Sequence, residues 1–97
     1  MKDLLDKILL EVRNNPGGTK AYEDLYYICR ETMKTDISLG VRYLKCLSDS
    51  IERVMPMIEN ENDLRFIFNL HKRVLLAAAP HDFEAYLLYV EWEREPS

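Results

Sequence analysis

Pro16, Pro56 and Pro80 constrain this chain most, because each ends a run in which apolar residues recur three and four apart. A proline lacks the backbone donor a helix interior needs, so the sequence reads as helices cut to length. Leu4, Leu5, Ile8, Leu9 and Val12, with charged residues between them, predict a first amphipathic helix that the turn-forming run Asn14-Asn15-Pro16-Gly17-Gly18 stops. Thr19 is placed to cap a second helix reaching about Met33, with Tyr22, Leu25, Tyr26, Cys29 and Met33 on one side. Asp36 opens a long third helix in which Val41, Leu44, Leu47, Ile51, Val54 and Met55 hold the repeat until Pro56. The polar run from Glu59 to Asp63 caps a fourth, whose broad face carries Leu64, Ile67, Phe68, His71, Val74, Leu75 and Ala78 before Pro80. Asp82 caps a fifth, in which Phe83, Tyr86, Leu87 and Val90 share a face and Tyr89 and Trp92 lie toward its flank.

No stretch alternates with period two, and no Asn-Gly or Asp-Gly hairpin dipeptide occurs. The expected fold is therefore all-α, a compact bundle of about five helices without a sheet, forming one domain over residues 1–97. With 47% hydrophobic and 31% charged residues the chain belongs with folded rather than disordered sequences. The longest apolar run, Val74 to Ala79, is far short of the roughly 20 residues that span a bilayer. The N-terminus mixes charge with leucine and lacks a secretory apolar core, so an intracellular, cytoplasmic protein without membrane contact is expected.

The chemistry-bearing residues form no recognisable catalytic pattern. Pro16-Gly17-Gly18-Thr19-Lys20 has glycines, a threonine and a lysine before a helix, but the G-x-x-x-x-G-K-[ST] spacing of a phosphate loop is absent. Cys29, Cys46, His71 and His81 include neither a C-x-x-C pair nor a close histidine pair, so no metal site is expected, and both thiols read as buried and free. A cysteine–histidine nucleophilic pair lacks any evident orienting group. Glu91, Glu93 and Glu95 read as a solvated helix end. No catalytic residue and no cofactor are assigned.

What remains is surface for binding. A net charge of -4 argues against a general grip on nucleic acid, but His71, Lys72 and Arg73 form the densest basic point, with Arg42, Lys45 and Arg53 on the preceding helix. If the two helices bring these charges together they offer a contact for DNA or an acidic partner. Phe66, Phe68, Phe83, Tyr86, Tyr89 and Trp92 are more rings than a small hairpin hides, so some are expected in an exposed patch. The candidate interaction surface is thus His71, Lys72, Arg73, Tyr86, Tyr89 and Trp92, for a protein partner or a second copy of the chain.

The segment from Asn69 to Ser97, NLHKRVLLAAAPHDFEAYLLYVEWEREPS, resembles the stretch upstream of the ATPase motor in large terminase subunits of some tailed phages and prophages. The matching positions are Asn69, Leu70, His71, Lys72, Asp82, Phe83, Tyr86, Tyr89, Glu91, Arg94, Glu95 and Pro96, under a third of the chain. The resemblance implies an N-terminal domain of a longer protein, continuing past Ser97 into a phosphate-loop ATPase and then a nuclease, in a bacterial host cell. It implies a non-catalytic module in viral DNA packaging, docking its own ATPase domain, the small terminase subunit or the portal. Residues 1–68 carry no signature of that family. The alternative from the same sequence is a free-standing helical adaptor or regulator that self-associates through its aromatic patch.

Overall fold

The computed structural model describes Leu10 and residues 19–94. Those residues form four α-helices: α1 (Thr19–Thr35), α2 (Ile37–Val54), α3 (Glu61–Ala78) and α4 (Phe83–Arg94), with a short 3₁₀ turn at Met55–Met57. There is no strand among the described residues, so the all-α class holds. The first helix expected from the sequence and its Asn14–Gly18 stop lie outside the described residues, Leu10 excepted.

The helix boundaries follow local chemistry. Asp36, the single residue between α1 and α2, is extended, and its carboxylate accepts from the Leu39 N–H at 3.0 Å, satisfying one of the free amides of the new helix. Asn60 does the same for α3, accepting from the Asp63 N–H at 3.1 Å, while Glu61 and Asp63 place negative charge on the first turn. Pro56 turns the end of α2 into the 3₁₀ turn, closed by the Ile58 N–H donating to the Met55 carbonyl at 3.2 Å. Asp82 caps α4 by accepting from the Ala85 N–H at 3.0 Å.

Consecutive helices pack on one another, and α3 also packs on α1, so α1, α2 and α3 enclose the core while α4 lies along α3. Tyr22, Leu25 and Cys29 of α1, Leu44, Leu47 and Ile51 of α2, and Ile67, Leu70 and Val74 of α3 fill that core. On α2, Ser48 meets His71 and the earlier Lys45 reaches the later Asp82, the order expected of antiparallel neighbours joined by short links. At Gly40 the backbone of α2 comes close to Met33 of α1. A Cβ there would lie 2.8 Å from the Met33 backbone nitrogen and 2.9 Å from its Cα, and would also collide with the Met33 side chain.

The apolar stripes expected for α1, α2 and α3 are the buried ones, but the orientation of α4 differs. Phe83, Tyr86 and Leu87 share a face as the spacing predicts, yet that face points outward: they are 74%, 49% and 51% exposed. Ala85 is buried instead, with Leu88 and Trp92 half-buried on the same side. Alanine at the contact lets the helix sit close to α3, and both sides of α4 are apolar enough to be the inner one.

Candidate functional site

The six residues of the candidate interaction surface do not act as one. Successive helix positions are turned by about 100°, so neighbours in sequence face different surroundings. His71 is a correction: it is fully buried, not on the surface. Its Nε2 lies 2.7 Å from the Ser48 hydroxyl, and its ring meets the edge of Trp92 with centroids 4.2 Å apart. Lys72 turns toward α4, its ammonium 5.0 Å from the centre of the Phe68 ring, itself 4.9 Å from Trp92. Arg73 turns the other way, over Tyr26 of α1 at 4.9 Å. On α4, Tyr86 is exposed, and Tyr89 and Trp92 are half-buried.

The expected basic cluster on α2 and α3 is therefore dispersed. Lys45 is engaged by Asp82 at 3.1 Å and more loosely by Glu84 at 3.8 Å, tying α2 to the start of α4. The Asp82 carboxyl is held below its ordinary range first by the Ala85 N–H and then by the Lys45 ammonium. Cys46, read from the sequence as buried, is exposed because position 46 lies opposite the Leu44, Leu47 and Ser48 side of α2. Cys29 is buried among apolar side chains, which pushes its thiol up to about 12 and keeps it a protonated, unreactive core group.

Two arrangements emerged that the sequence reading missed. The first is the buried Ser48 and His71 pair, which has the hydroxyl-to-imidazole distance of a nucleophile and its base. Its surroundings are those of a core hydrogen bond: both residues are closed to solvent, and the other ring nitrogen, Nδ1, has no partner to orient it. Burial pushes His71 down to about 4, with Asp49 pulling weakly the other way, so the ring is neutral at pH 7 and the Glu52 carboxylate 3.9 Å from Nε2 is not an ion-pair partner there. The second is a basic, aromatic groove between α1 and α3, where Arg30 and Arg73 flank Tyr26. Arg30 lies 43 positions from Arg73, and no local pattern connects them; only the packing of α1 on α3 does.

Among the described residues no group of three or more His, Cys, Asp or Glu is placed to hold a metal ion, and no helix is long and apolar enough to cross a membrane. Comparison with known protein families, curated proteins and solved structures returns no match. The chemistry of the surface is thus the guide to function. Its most distinctive feature is the outer face of α4, where Phe83 and Tyr86 stack with ring centres 6.3 Å apart beside Leu87. Such a run at positions i, i+3 and i+4 is the pattern by which a helix lies in an apolar groove of a partner.

Proposed function

We propose that this chain is a non-catalytic protein-docking domain whose contact surface is the outer face of α4. The observation that carries this reading is the exposure of Phe83, Tyr86 and Leu87 together on a helix whose opposite side is already packed. Large apolar groups grouped in this way are costly to keep in water, and burying them against a partner returns about 25 cal/mol for each Å² covered. The capped and ion-paired start of α4 presents them on a fixed support, which lowers the ordering cost of binding.

The likeness of residues 69–97 to the region before the motor of large terminase subunits gives this reading its finer form. On it, the domain positions the ATPase motor or docks the small terminase subunit or portal during viral DNA packaging in the bacterial cytoplasm. Asp82, Phe83 and Tyr86 belong both to that likeness and to the start of the docking helix. The test is calorimetric titration of the chain with the purified ATPase domain, small subunit and portal of its own phage or prophage. Binding to one of them that Phe83→Ser with Leu87→Ser weakens about tenfold or more, at unchanged helicity, is the expected result. Binding to none of the three overturns the packaging reading. Self-association through the same face, abolished by the same pair of substitutions and accompanied by binding to none of the three, would support the free-standing adaptor instead.

A further inference from the structure

The groove between α1 and the C-terminal half of α3 collects positive charge that the chain leaves unanswered. Arg30 Nη1 donates to the Tyr26 hydroxyl at 2.8 Å, and its guanidinium lies 5.7 Å from the centre of that ring. Arg73 reaches the same ring from α3, and the hydroxyl of Tyr27 together with the Tyr26 phenol keeps it firmly charged. Among the described residues neither guanidinium is ion-paired, and the two are the cations that share one ring. Two cations held on one ring repel each other, and a guanidinium is a planar donor fork whose geometry matches a carboxylate. Met33, Leu76 and Pro80 line the groove beside them, and Leu76 is exposed. The site therefore calls for a ligand that is both anionic and apolar.

The outer face of α4 has that composition. Phe83, Tyr86 and Leu87 form its apolar surface, and helical spacing sets Glu91 on one rim and Glu93 on the other, with the exposed Arg94 between them at the end of the helix, so the two carboxylates outnumber the one cation. Both glutamates are exposed, and neither is ion-paired among the described residues. We propose that the α1/α3 groove receives the outer face of α4 from a second copy of this chain, with Glu91 and Glu93 answering Arg30 and Arg73 while the aromatic and leucine side chains cover Met33 and Leu76. This rests on reading the outer face of α4 as a docking surface, and it names the occupant. The contact joins two different surfaces, so each copy carries both halves of it. A nucleic-acid backbone fits less well, since Met33, Leu76, Ala77 and Pro80 give the groove an apolar side that a sugar-phosphate chain would leave uncovered.

Because each copy contributes a basic groove and an acidic helix, charge reversal gives a decisive test by sedimentation velocity over a range of concentrations. Arg30→Glu with Arg73→Glu, and separately Glu91→Lys with Glu93→Lys, should each weaken self-association about tenfold or more, with circular dichroism confirming that both variants fold. An equimolar mixture of the two variants should recover association, because each acidic groove then meets a basic helix and each basic groove an acidic one. A wild-type chain that stays monomeric throughout overturns the proposal. So does a mixture that fails to recover. If Phe83→Ser with Leu87→Ser abolishes association while Arg30→Glu with Arg73→Glu does not, the groove assignment falls and the docking helix stands. Binding of duplex DNA by a monomer, lost on reversing the two arginines, would transfer the groove to nucleic acid and equally end the proposal.

Discussion

His71 shows how far one residue can depart from its sequence reading. Its place on the apolar stripe of the fourth expected helix is the place it occupies, but beside Lys72 and Arg73 it also read as part of a basic surface. Burial decides between the two, because desolvation disfavours the charged imidazole. The folded state holds its proton only below about pH 4, while an unfolded histidine takes one near pH 6.5. The folded pKa is the lower one, so this contribution to stability is complete above about pH 6.5 and is lost as pH falls toward 4, by on the order of 3 kcal/mol. Urea unfolding midpoints should fall across that window, and His71→Leu should flatten the slope there. Ser48→Ala should cost about 1 to 2 kcal/mol at pH 7 by leaving the buried Nε2 without a partner, read as a lower urea midpoint. Neither the Ser48 contact nor the unpartnered Nδ1 was legible in the sequence, because the residues sit on different helices and only the rotation of α2 against α3 pairs them.

At the scale of elements, the caps and breaks were largely legible and the orientation of α4 was not. Asp36, Asn60 and Asp82 are short polar side chains before apolar runs, and their hydrogen bonds are local, so sequence alone places them. A helix apolar on both sides offers no such local clue, and the choice falls to the neighbour: α3 accepts the small Ala85 and the flat Trp92, leaving Phe83 and Leu87 outside. The Asp82 cap can be tested by its two functions. Asp82→Ala should cost about 1 kcal/mol from the lost cap, and Asp82→Asn less, because asparagine still accepts from the Ala85 N–H. Thermal unfolding followed by circular dichroism distinguishes them; equal losses would assign the effect to the Lys45 ion pair instead. Gly40 makes a comparable claim for the α1 and α2 hairpin. Alanine there gains up to about 1 kcal/mol in helix propensity, but its Cβ meets the Met33 backbone as well as the Met33 side chain, and the backbone cannot yield as a side chain can, so a net loss of about 1 to 2 kcal/mol is expected in the same assay. A rise in melting temperature would show that the hairpin opens at little cost.

For the whole molecule, the class of fold was legible because it depends on periodicity, whereas the sites depend on which helix faces which. The α1/α3 groove and the outward face of α4 both arise from packing, and together they give a chain of net charge -4 a local basic cleft and a local acidic ridge. Trp92, the only tryptophan in the sequence, sits against His71 at the contact that holds α4 to α3. An imidazolium quenches indole emission by accepting an electron from the excited ring, so the intrinsic fluorescence of the unlabelled protein carries two signals at once. Separation of α4 from α3 should shift the emission to longer wavelength as the indole meets water, and protonation of His71 should dim it. The molecule thereby contains an optical gauge of its own docking helix.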